Sequence, residues 1–120
     1  MKRDFEAIEK LGRSRALRLL GGSDQPARSR ALISLALHDK DWRWVQNLCL
    51  SLLDDPNPDI RASALLGLGH VARLHRRLDL ERVLPRVRAS SGDSRLAPRV
   101  LELLEDIEIY VRPPPGNPSV

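Results

Sequence analysis

The sequence predicts an all-α fold, a short α-solenoid of about three stacked helical hairpins. Three observations predict it. Apolar and small residues recur at helical spacing between short turn signals. A segment of the chain repeats itself, so that Arg28 to Leu35 reappears as Arg61 to Leu68. Leucine dominates while aromatic residues make up 3% and β-branched residues are few, which suits helix-on-helix packing better than a sheet. At 120 residues the chain is one domain, near the low end for a solenoid. The helical domain is expected over residues 1–111 and a tail over 112–120.

The first helix is expected from Asp4 to Leu20, loosened at Gly12. Gly21-Gly22-Ser23-Asp24 reads as a stop followed by a new N-cap, and Gln25 to Leu37 as the partner helix. Asp41 caps the next, Trp42 to Leu53. Pro56 and Pro58 then stop one helix before another begins, and Pro58 to Arg76 completes the central pair. Asp79 caps Leu80 to Ala89, and the last helix runs from about Ser94 to Tyr110. Pro85 and Pro98 each mark a helix start or a kink. Six of the nine prolines lie in the central turn or in the tail, whose run Pro113-Pro114-Pro115-Gly116-Asn117-Pro118 has no apolar anchor and reads as disordered.

The central turn is the most informative stretch. In Asp54-Asp55-Pro56-Asn57-Pro58-Asp59-Ile60-Arg61, Asp55 is placed to accept from backbone N–H groups just past the turn. Pro58 loses nothing in the first turn of a helix, and Asp59 suits the positive end of the helix dipole. At 100° per residue Ile60, Ala64, Leu68, Val71 and His75 share one arc, with Leu65 and Ala72 at its edge. Ala64 and Gly67 are small enough to let a neighbouring helix approach. Sliding the chain by one period, an offset of 33, aligns Arg28 with Arg61, Ala31-Leu32 with Ala64-Leu65 and Leu35 with Leu68. A second slide puts Ala97 under Ala64 and Leu101 under Leu68, but Ser94 replaces the Arg and the Asp-Pro turn has become Ser90-Ser91-Gly92-Asp93. Copy three is therefore degenerate, as end repeats are.

This turn and the helix after it resemble a HEAT repeat of the bacterial type found in phycobilisome-lyase-like proteins. The resemblance implies a stack that binds with its surface, its second helices lining a concave face. One protein partner held on that face is the expected ligand, and short free-standing proteins that resemble this one include immunity proteins that mask a toxin. Nuclease toxins are usually basic, and this basic chain suits an acidic partner surface better.

On the predicted free face, the arc of the central second helix opposite the core carries Asp59, Ala62, Leu66, His70, Arg73 and Arg77. The earlier copy supplies Ile33 and Leu37, and the later one Arg95, Arg99, Leu103, Asp106 and Tyr110. An apolar strip rimmed by charge marks a protein contact, so Ile33, Leu37, Leu66, His70, Arg73 and Arg77 are the expected contacts. The competing expectation is that the apolar ones pack between neighbouring helices. Trp42 shares its arc with Val45 and Cys49 and reads as core, whereas Trp44 either covers the joint between repeats one and two or stands free as an interface anchor.

No catalytic constellation is visible. There is no Gly-rich phosphate loop, no nucleophile elbow and no His-Glu-x-x-His, so no enzyme and no cofactor are expected. His38, His70 and His75 have no metal spacing, and Cys49 stands alone as a small hydrophobe on an inner face. The run Glu102, Glu105, Asp106 and Glu108 reads as a solvated face. No apolar leader or membrane-spanning stretch is present, so no membrane contact and a cytoplasmic location are expected. Net charge is +4 with a pI near 10, split as +3 over residues 1–41, +2 over 42–78 and −1 over 79–120. The cluster Arg73, Arg76 and Arg77 makes nucleic-acid binding through a basic face the alternative function.

Overall fold

Each turn signal in the sequence separates two helices in the computed structural model, which describes residues 8–111. The described residues form α1 (Arg13–Leu20), α2 (Gln25–His38), α3 (Trp42–Leu52), α4 (Pro58–His75), α5 (Leu80–Ser90) and α6 (Ala97–Tyr110), with no strand among them. The tail expected over 112–120 and the start of the first helix at residues 4–7 lie outside the described residues.

The caps explain the boundaries. Asp24 accepts from the Ala27 N–H and Asp41 from the Trp44 N–H, each meeting a donor that a helix start leaves unpaired. In the central turn Asp55 accepts from the Asn57 N–H at 3.0 Å and Asn57 from the Asp59 N–H at 2.8 Å. Asp79 precedes α5 but does not cap it with its side chain. Its carboxylate is taken instead by Gln46 and Arg43 of α3, and its own N–H donates to Gln46 Oε1. α6 starts at Ala97 rather than Ser94, after a turn in which Asp93 accepts from the Arg95 N–H.

The first helix is shorter than its periodicity suggests. Residues 8–12 are not helical, and Gly12, with extended backbone (φ −68°, ψ 158°), is the N-cap of α1. This strap lies along α2: Leu11 N–H donates to Ser34 Oγ at 2.9 Å, Ser34 Oγ–H donates to the Glu9 carbonyl at 2.8 Å, and His38 Nε2 to the Ile8 carbonyl at 3.3 Å. The Ser34 and His38 side chains satisfy backbone groups that a helix would otherwise pair.

Two layers result. α2, α4 and α6 pack side by side in chain order, while α1 packs on α2 and α3 on α4. α4, held by α2, α3 and α6, supplies the centre of the core with Ile60, Ala64, Leu65, Leu68 and Val71, each no more than 1% exposed. Gly67 gives α3 its close approach, because a Cβ there would lie 2.8 Å from Cys49 Sγ.

The third copy departs from the period that relates the first two. Val45 and Cys49 recur as buried Val83 and Val87, at an offset of 38, and Ile60, Ala64 and Val71 as buried Leu96, Val100 and Ile107, at an offset of 36. α4 is one turn longer than α2, and the turn after α5 runs to Leu96, so the later hairpin is displaced along the chain. Leu101, aligned with Leu68 by the sequence slide, is consequently 67% exposed.

Arginines stitch the hairpins together at their turns. Arg28 donates to the Leu20 carbonyl of its own turn and reaches Asp55 of the next at 2.7 Å. Arg61, its repeat equivalent, donates to the Asp55 carbonyl and reaches Asp93 at 3.5 Å. The guanidinium of Arg28 holds the Asp55 carboxyl below the usual carboxylate range. In the offset of 36 that relates the buried residues of the third copy, Ala97 stands where α4 has Arg61.

Candidate functional site

The second-helix layer carries the candidate surface. α4 opens it with small residues, Ala62 and Ser63, and Ser63 Oγ–H donates to Ser29 Oγ of α2 at 2.9 Å. Farther along, Leu66 stands half-buried above a dent lined by Gly69 and Arg73 of α4 and by Arg99, Glu102 and Asp106 of α6. Its volume of about 20 Å³ admits a water at most, so this is a surface and not a ligand pocket.

Arg73 organises the seam between α4 and α6. One guanidinium nitrogen pairs with Asp106 and another donates to His70 Nδ1 at 2.8 Å. Gly69 leaves room for that pair, since a Cβ there would meet Asp106 Oδ2 at 3.1 Å. Burial, with the Arg73 charge beside it, pushes the His70 pKa down to about 4, so its imidazole is neutral at pH 7 and accepts from Arg73.

The structure divides the expected contacts into three groups. Leu37, Leu66 and Arg73 are half-buried and Arg77 is exposed, all on the second-helix layer or just past its end. Ile33 and His70 are 4% and 2% exposed and offer a partner almost nothing; Leu103, expected on the free face, is likewise buried. α2, α4 and α6 lie closer together than an arc drawn on one isolated helix implies, so those positions pack inward. Trp44 belongs to the other layer, half-buried with the Arg13 guanidinium 4.0 Å from its ring centroid, and Arg13 is itself tied to Asp39 at 2.7 Å. Trp44 therefore covers a joint rather than standing free.

Sequence reasoning missed the cross-links Ser29–Ser63 and Arg73–Asp106. The second had a visible signal, opposite charges one repeat apart. The third tip of the basic cluster, Arg76, ends α4 in the left-handed conformation (φ 56°) and stacks 5.7 Å from the Tyr110 ring centroid.

A larger cleft of about 400 Å³ opens between the turns of the second and third hairpins. Leu53 and Leu96 line it, beneath the pairs Arg86–Asp54 at 2.9 Å and Arg61–Asp93 at 3.5 Å. Its charges are matched within the chain. Cys49 is fully buried and its thiol is pushed up to about 12 by burial, which removes its nucleophilic form at pH 7. Among the described residues, no group of three His, Cys, Asp or Glu side chains is placed to hold a metal ion, and no helix is long and apolar enough to cross a membrane.

Residues 45–75 match the family model of the HEAT repeat, which places the match on the second hairpin from the first turn of α3 to the end of α4. No curated protein and no solved structure matches the chain.

Proposed function

We propose that this chain is a non-enzymatic binding module that holds one protein partner against the face built from α2, α4 and α6. HEAT repeats commonly mediate protein interactions. The observation that carries the reading for this face is its pairing of accessible apolar side chains with a stiff frame. Leu37 and Leu66 remain half-exposed on a layer whose helices are joined by Ser29–Ser63 and by Arg73–Asp106. A surface ordered before binding loses less entropy when a partner docks. Leu66 and Leu37 supply apolar contact, Arg77 supplies positive charge suited to an acidic partner, and His70 acts beneath the surface by holding Arg73.

The neutral charge of the Arg73 pair weighs against nucleic acid as the ligand, because it removes one of the three cations of the basic cluster. Affinity capture from the native host, with the wild type and a Leu66→Glu, Arg77→Glu double variant, tests the proposal. The expected result is a stoichiometric protein partner held by the wild type and lost by the variant, whose helical circular dichroism is unchanged. Full retention by the variant would contradict the face, and recovery of nucleic acid in place of protein would contradict the ligand class. The narrower reading as a toxin-neutralising immunity protein predicts that the captured partner arrests growth when expressed without this chain.

A further inference from the structure

The two ends of the stack are finished differently. At its beginning, the strap of residues 8–12 lies over Ser34 and His38 of α2. Their counterparts one period on are Gly67, where a Cβ would lie 2.8 Å from Cys49 of α3 and 3.6 Å from Ala36 of α2, and Val71 of the core. No such cover lies over α6 among the described residues.

The side of α4 that α6 covers is a stripe one turn apart: Leu65, Gly69 and Arg73, which meet Leu103 and Asp106 across the seam. In the register that relates the buried residues of α4 to those of α6, this stripe recurs as Leu101, Glu105 and Ile109. Leu65 is 1% exposed, whereas Leu101 and Ile109 are 67% and 62% exposed. α6 thus repeats the helix-accepting side of α4, and among the described residues nothing packs on it. Its charge differs: Ile109 stands where α4 has Arg73 and Glu105 where it has Gly69, with exposed Glu102 and Glu108 flanking the stripe. The nearby cation, Arg99, is already paired with Glu102 at 3.3 Å.

We propose that the outer face of α6 docks a basic amphipathic helix of a partner protein, laid along α6 much as α6 lies along α4. Apolar residues of that helix at i, i+3, i+4 and i+7 cover Leu101 and Ile109, and its lysines or arginines meet Glu102, Glu105 and Glu108. Charge decides against a second copy. Two α6 faces brought together by a twofold axis would oppose their glutamates. A head-to-tail copy would present the strap, which is hydrogen-bonded and offers no apolar stripe of its own. This surface adjoins the face built on Leu37 and Leu66 at Glu102, which also lines the dent beside Leu66, but its apolar anchors Leu101 and Ile109 lie outside that face, so the two proposals are tested by different variants.

The test uses the full chain and two fluorescent model peptides of about 18 residues, one with leucine on one face and lysine on the other, and a twin with glutamate in place of lysine. The lysine peptide is expected to bind and its glutamate twin not to. Leu101→Ser with Ile109→Ser, both at exposed positions, should weaken binding at least ~10-fold, and Glu105→Lys with Glu108→Lys should weaken it similarly and flatten its salt dependence. Leu66→Glu should leave it unchanged. Equal binding of both peptides, no binding of either, or indifference to both α6 variants would overturn the proposal. So would a wild-type dimer in analytical ultracentrifugation that the Leu101→Ser, Ile109→Ser variant abolishes.

Discussion

Gly67 and Cys49 illustrate how one missing side chain sets the distance between helices. In an exposed helix, Gly→Ala gains about 1 kcal/mol. Here the new Cβ would meet Cys49 Sγ at 2.8 Å and Ala36 Cβ at 3.6 Å, in a core with no exposed route for relief. Overpacking of this kind costs about 1–3 kcal/mol, so Gly67→Ala should destabilise despite its better helix propensity. Combined with Cys49→Ala, its cost should shrink, and urea denaturation of the four proteins of that cycle would show strictly additive losses if the contact were absent. His70 yields a pH prediction. Its folded pKa near 4 lies below its unfolded value of about 6.5, so the unfolded chain takes up a proton that the folded chain does not. The stability this neutral imidazole confers is whole above pH ~6.5 and is lost as pH falls toward ~4, by up to about 3 kcal/mol. The carboxylates held low by Arg13, Arg28 and Gln46, which are Asp39, Asp55 and Asp79, lose their contribution at lower pH, below about 4. Melting temperature should therefore decline between pH 7 and 4.5 in the wild type and stay flatter in His70→Gln; equal slopes would assign the decline elsewhere.

At the scale of elements, the two Arg–Asp stitches differ in strength. Arg28 and Asp55 have side chains only 17% and 10% exposed and meet at 2.7 Å, whereas Arg61 and Asp93 are 22% and 24% exposed and meet at 3.5 Å. Arg28→Ala would leave Asp55 and the Leu20 carbonyl without that partner, at a cost of about 1–3 kcal/mol. Arg61→Ala should cost less, about 1 kcal/mol or under. A reversed order in denaturant titrations would show that the seam between the second and third hairpins is the tighter one. The helices themselves were legible because their signals are local. Asp24, Asp41 and Pro58 mark starts that the structure reproduces, and the Asp55 turn works as its sequence implies. Three features depended on distant residues and were not legible. Residues 8–12 leave the helical state for Ser34 and His38, which lie far along the chain on α2. Asp79 gives up its cap to Gln46, and the longer α4 displaces the third copy from the period of the first two.

Across the whole molecule, a basic composition does not amount to a free basic surface. Among the described residues, Arg28, Arg43, Arg61, Arg73 and Arg86 each reach a carboxylate of another element, so much of the charge joins hairpin to hairpin. Which apolar residues face outward was the least legible property. Ile33 and Leu103 sit on the expected free arc yet are buried, while Leu101 sits on the expected core arc yet is exposed, because burial depends on whether another helix lies alongside. That leaves Leu37 and Leu66 as the apolar part of the proposed contact face. Hydrogen exchange read by mass spectrometry, on the chain alone and bound to its captured protein partner, tests this claim most directly. Added protection is expected in peptides from α2 and α4 around Leu37 and Leu66, with α1, α3 and α5 little changed. Protection confined to α1, α3 and α5, with α2 and α4 exchanging as in the free chain, would contradict it.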